Sequence, residues 1–137
     1  MKLNLKNLVV TATTAHFDFP VCNGMSVEIA YANKTLLNNI HESALVQKFD
    51  TETGAPYKDL DTDAYVKNYV SEVIKGWTGF TYAHLASLVL IDESDVDPTQ
   101  EIDFDVDTAV FLMTNSPVFD QWVVSMAKRL DNFRTSK

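Results

Sequence analysis

The sequence predicts an α+β domain, mainly helical, in which an N-terminal antiparallel β-hairpin packs on a cluster of four or five short helices. Three observations carry that expectation. Apolar and polar residues alternate from about Thr13 to Tyr31, with a break at Cys22-Asn23-Gly24. Farther along, apolar residues recur at spacings of three and four, most clearly over Tyr65–Trp77 and Phe119–Leu130. No linker, internal repeat or low-complexity tract divides the chain, so residues 1–137 are expected to form one domain with a polar tail over 134–137. A two-stranded sheet is not stable alone, and helices must cover its apolar face.

Each element follows from local chemistry. Phe17 and Phe19 share one face of the first strand and His16 and Asp18 the other, until Pro20 withholds a ladder hydrogen bond. Gly24 tolerates the positive φ of a turn. The second strand then sets Met25, Val27, Ile29 and Tyr31 opposite Ser26, Glu28 and Ala30. Asn33 caps a short helix whose stripe is Leu36, Leu37, Ile40, Ala44 and Leu45. Phe49–Tyr57 holds Gly54 and Pro56 where a turn wants them, giving a protruding loop or a short second hairpin.

Asp61 or Thr62 caps the surest helix, built on Tyr65, Val66, Tyr69, Val70, Val73, Ile74 and Trp77, with Lys75 and a left-handed Gly76 ending it. Thr81 begins a short helix through Leu85, Leu88 and Val89. An acidic connector from Asp92 to Asp107 points Ile102 and Phe104 to one side, with room for one short strand. Asp107–Asn115 reads as a helix with Ala109, Val110 and Met113 inward. Ser116-Pro117 is an N-cap followed by proline at the first helical position, and the last helix carries Phe119, Trp122, Val123, Met126, Ala127 and Leu130.

Composition narrows the function classes. The chain is 46% hydrophobic, and 19 acidic against 11 basic side chains give a net charge of -8. A basic face for phosphate is missing, which argues against nucleic acid as a partner. No apolar run approaches the roughly 18 to 20 residues of a membrane span, and Met1–Val10 carries a short apolar patch without a cleavage site, so no membrane association and a cytoplasmic location are expected. The single cysteine, Cys22, fits a reducing compartment.

Chemistry-bearing motifs are sparse. Asp103-Phe104-Asp105-Val106-Asp107 opens like an EF-hand loop, but Thr108 stands where the turn needs glycine and Thr114 where a bidentate Glu is required. The connector therefore reads as a solvated loop with helix-capping Asp residues, and no metal is assigned. His16, six residues before Cys22, is the one partner for a thiol nucleophile, yet nothing cationic nearby would lower the thiol pKa, so Cys22 reads as a small half-buried hydrophobe. His41 and His84 read as boundary residues. Signatures of serine hydrolases, phosphate loops, dinucleotide folds and zinc proteases are absent, so neither an enzyme nor a cofactor is expected. The remaining signal is aromatic: Tyr65, Trp77, Phe119 and Trp122 are the candidates for an apolar groove at a helix junction or for its supporting core.

Taken in order, several segments resemble the tail assembly chaperones of long-tailed, siphovirus-type bacteriophages. They run from Phe17-Asp18-Phe19-Pro20 and Val27-Glu28-Ile29-Ala30-Tyr31 through Tyr69-Val70 to Val73-Ile74-Lys75-Gly76-Trp77-Thr78-Gly79. Leu90-Ile91-Asp92, Asp97-Pro98, Glu101-Ile102-Asp103-Phe104 and Leu112-Met113-Thr114-Asn115-Ser116-Pro117 follow, then Phe119-Asp120, Trp122-Val123 and Leu130-Asp131-Asn132-Phe133. His41–Phe49 departs from the pattern, offering Lys48 beside Glu42 where relatives are usually more basic. The resemblance implies a non-enzymatic protein of the host cytoplasm that binds and solubilises the phage tape measure protein. It also implies recruitment of the tail tube protein and absence from the mature virion. Such families are often made in two lengths by ribosomal frameshifting, which adds a longer form of the same chain to the expected partners. Two other classes compete: a structural virion protein of the tail or head-tail connector, and a metal-dependent enzyme or calcium-regulated module built on the acidic connector.

Overall fold

The alternating segment folds into strands β1 (Thr14–Asp18) and β2 (Ser26–Ala30), paired antiparallel with Phe17 opposite Val27. The computed structural model describes residues 13–134, so the apolar patch of Met1–Val10 and residues 135–137 of the polar tail lie outside the described residues. Gly24 takes φ +87 in the turn, which Phe19 N–H and Met25 N–H close by donating to the Met25 and Cys22 carbonyls. Met25, Val27 and Ile29 are fully buried, as the alternation requires. Ala30 departs from it. Expected on the outer face, it is buried because the strand ends there and the backbone docks on a helix, Ala32 N–H donating to Ala127 O at 2.9 Å. Alanines on both sides let the two backbones come that close.

Helix α1 (Lys34–Ser43) starts at Asn33, whose side chain accepts from Leu36 N–H at 2.8 Å. It stops two residues before the apolar stripe does: Leu45 opens strand β3 (Leu45–Phe49), which pairs with β4 (Pro56–Leu60) in a second, separate sheet. The alternative of a short hairpin over Phe49–Tyr57 is thus the one realised, with its strands reaching farther back than expected. Asp50 accepts from the N–H groups of Glu52 and Thr53, and Gly54 turns the chain at φ +72. Both strands are largely exposed, and Asp61 N–H bonding to Ala44 O at 2.8 Å closes the base.

Asp61 also caps helix α2 (Thr62–Val73), accepting from Ala64 N–H at 3.2 Å. The expectation that this helix runs on to a left-handed Gly76 is corrected. From Ile74 the chain is extended, and β5 (Ile74–Thr78) pairs with β2, making a three-stranded sheet in the order β1-β2-β5. Ile29 faces Ile74 while Glu28 faces Gly76, so Lys75 is the extra residue of a β-bulge. That bulge lets Ile74 and Trp77, three apart, both point inward, the spacing a helix would also produce. Gly76 lacks a positive φ and has open space where a Cβ would sit. Gly76→Ala should therefore be neutral or raise stability by about 0.4–1 kcal/mol in urea unfolding, where a left-handed cap would lose stability.

Helix α3 (Tyr82–Leu88) begins with a reciprocal capping box between Thr81 and His84. Its next free N–H groups, on Tyr82 and Ala83, donate to the connector carbonyls of Gln100 and Pro98. Among the described residues the connector makes one bridge, Thr81 to Glu101, in place of a strand. Asp105 caps α4 (Val106–Asn115), and Ser116, buried, caps α5 (Pro117–Lys128). Leu130 leaves the helical stripe for a 3-10 turn over Leu130–Phe133, where Phe133 packs edge-on to Phe17 and against Tyr31. The core lies between the three-stranded sheet and helices α2, α4 and α5.

Candidate functional site

Helices α1, α2, α4 and α5 leave a groove of about 250 Å³ between them. Leu37 comes from α1, Met113 from α4, and Tyr65, Val66 and Tyr69 from α2, while Asp120, Val124 and Lys128 form a line along α5. Those last three are four apart, so the groove follows the α5 axis for about 12 Å. Its size falls below the roughly 300 Å³ at which small-molecule pockets begin, which suits side chains of a partner better than a cofactor. A larger cleft of about 420 Å³ between α1 and α2 is lined by Asn39, Ser43, Asn68, Ser71 and Glu72 among others. There Asn68 bonds Ser43 Oγ and Ser43 bonds Ile40 O, so polar groups already satisfy one another.

The groove differs in that one polar group is left over. Tyr69 is buried against its neighbour Tyr65, ring centroids 6.4 Å apart, and its hydroxyl is the single buried side-chain oxygen or nitrogen among the described residues without a hydrogen-bond partner. Burial pushes that phenol well above its ordinary pKa, with Tyr65 and Asp120 adding to the rise, so it stays protonated. Asp120 is itself half-buried, and loss of solvent raises its carboxyl above the ordinary value. Lys128, two turns farther along α5, makes no ion pair with it. Tyr69→Phe keeps the ring packing and removes a desolvated donor, so the free protein should be as stable as the parent or up to about 1 kcal/mol more stable, read from its urea midpoint.

The four candidates of the sequence fall in different places. Tyr65 lines the groove. Trp77 is buried in β5, where its Nε1–H donates to Ile102 O at 2.8 Å and its ring meets Phe80 and Phe104 edge-on. Phe119 is wholly buried, edge-on to Phe19 at 5.6 Å. Trp122 is half-buried, 4.7 Å from Phe19, and lies outside the groove lining. Trp77 and Phe119 therefore support the core, and of the four only Tyr65 reaches the groove. Tyr69, Val124 and Asp120 were not singled out; the four-residue spacing of Tyr65 to Tyr69 and of Asp120 to Val124 was their one trace in the sequence.

The other chemistry-bearing groups are engaged structurally. Cys22 is buried, and burial pushes its thiol above the usual range; His16 lies on the exposed face of β1, so no thiol-imidazole pair is assembled. In the connector, Asp92 accepts from Ser94 and Asp97 from Thr99, which holds both carboxyls below their ordinary range. Asp105 is spent on the α4 cap, and Glu101 accepts from Gly79 N–H. Among the described residues no three His, Cys, Asp or Glu side chains converge on a metal position, and no helix is long and apolar enough to cross a membrane. No family model, curated protein or solved structure matches the chain significantly.

Proposed function

We propose that this chain is a tail assembly chaperone of a long-tailed bacteriophage. In this reading it catalyses nothing: it binds the tape measure protein in the host cytoplasm, keeps it soluble, helps recruit tail tube subunits, and leaves before the particle is complete. The observation that carries the proposal is the groove along α5, an open channel with aliphatic walls from four helices. An amphipathic helix laid in it is held by side chains at spacings of three and four. Each side chain it covers contributes about 25 cal/mol per Å² of apolar area removed from water. So few anchors make a contact that is readily released, as a chaperone requires. The net charge of -8 opposes self-association while the partner is shielded. The ordered segments from Phe17-Asp18-Phe19-Pro20 to Leu130-Asp131-Asn132-Phe133 support the same reading.

Co-expression with the phage's tape measure protein tests it. The tape measure protein should become soluble and copurify with the parent chain, and should lose both properties with Val124→Asp, whose fold is checked by circular dichroism. A tape measure protein that stays insoluble, or one that the groove variant solubilises equally well, ends the reading. Recovery of the chain in stoichiometric amount from purified particles, by mass spectrometry, replaces it with a structural virion role.

A further inference from the structure

We propose that the groove is built to receive a lysine side chain carried on the apolar face of the partner helix, with its ammonium placed between the Tyr69 hydroxyl and the Asp120 carboxylate. The inference rests on the groove being the docking site of the preceding section and adds the chemistry of what enters it. Tyr69 is 4% exposed, and its hydroxyl is buried without a partner among the described residues, a state that persists in folded proteins where a ligand or water completes it. Asp120 shares the groove, forms no ion pair among the described residues, and is raised in pKa by the loss of solvent that a nearby cation would offset.

Tyr65, Tyr69 and Asp120 all line the groove, which brings two hydroxyls and a carboxylate to one channel. An ammonium has three N–H donors and no acceptor, which matches two hydroxyls and a carboxylate. The four methylenes of lysine need an apolar sleeve, and Leu37, Val66, Met113 and Val124 supply one. The groove's own cation, Lys128, is two turns along α5 from Asp120 and makes no ion pair with it. A chain of net charge -8 also attracts a basic partner over a longer range than any contact. A glutamate on the partner helix would face Asp120 with like charge, and an aliphatic residue would leave the Tyr69 hydroxyl unpartnered.

The test uses the full chain and three amphipathic helical peptides identical except for one residue at the centre of the apolar face: lysine, norleucine or glutamate. Isothermal titration calorimetry should find the lysine peptide bound about tenfold tighter than the norleucine peptide, as a charge-assisted buried hydrogen bond supplies. Tyr69→Phe and Asp120→Asn should each shrink that advantage, read as the lysine-to-norleucine affinity ratio within the same variant, below about threefold. Norleucine binding as tightly as lysine, or a lysine preference that survives both substitutions, overturns the inference and leaves the groove as a helix site. No binding of any of the three peptides by a chain that still solubilises the tape measure protein also overturns it, and moves the chaperone contact to another surface.

Discussion

Trp77→Ala should lower the unfolding free energy by about 3–5 kcal/mol, read from urea denaturation with an unchanged slope. Trp77 is 8% exposed near the end of β5, its ring edge-on to Phe80 at 5.1 Å and to Phe104 at 5.0 Å. Truncation removes its transfer energy and leaves a cavity that an edge-on trio of rigid rings cannot collapse into. It also strands the Ile102 carbonyl, which now accepts the indole N–H at 2.8 Å. Trp77→Phe separates the two parts: it keeps an aromatic ring and loses the hydrogen bond, so it should cost about 1–2 kcal/mol. Because that bond ties the acidic connector to the sheet, both variants should speed amide exchange over residues 101–104 more than in β1. A cost below about 1 kcal/mol for Trp77→Ala would place the ring outside the core, at a partner surface.

Trp77 also shows how far periodicity reaches. Tyr65, Tyr69, Val70 and Val73 repeat at helical spacing and are helical, and Ile74 and Trp77 continue the spacing without being so. Burial pattern was legible there and backbone conformation was not, because a bulge at Lys75 gives a strand the same inward spacing. What decides for the strand is a pairing with β2, some 47 residues earlier in the chain (Ile29 and Ile74 differ by 45, Val27 and Trp77 by 50), and a local window contains no trace of it. The caps, by contrast, are written in adjacent residues. Asn33, Thr81 and Ser116 each start the helix expected of them, and of Asp61 and Thr62 it is Asp61 that caps α2, since an N-cap bonds an N–H only two or three positions ahead.

The groove was the least legible part for a related reason. Its lining comes from four helices, and each contributes one to three residues that look, along their own helix, like ordinary core or boundary positions. Large aromatics drew attention because they bury the most area, and the same property carried Trp77 and Phe119 into the core. The distinguishing feature is a hydroxyl left without a partner, and satisfaction of a hydrogen bond depends on what all neighbouring elements bring to it. A tyrosine in the sequence carries no sign of that.

Gly79→Ala should cost more than about 3 kcal/mol, while Gly54→Ala costs about 1–2 kcal/mol, both read from urea midpoints. The two glycines share a left-handed backbone, φ +74 and φ +72, and so share the strain of a side chain in that region. They differ in what a Cβ would meet. At Gly54 there is open space, whereas at Gly79 the new atom runs into the Gly24 carbonyl oxygen. That oxygen has little freedom to retreat, because the turn holding it is closed by Met25 N–H to Cys22 O at 3.1 Å and Phe19 N–H to Met25 O at 2.9 Å. Relief therefore requires the β1-β2 turn and the end of β5 to part, which drags fully buried Met25 and Phe80 out of register. The difference between the two variants isolates the collision from the strain. Equal costs at both positions would mean that the turn yields freely, and the sheet beneath α5 would then be too soft to hold Val123 and Ala127, the buried face that sets the opposite side of the same helix along the groove.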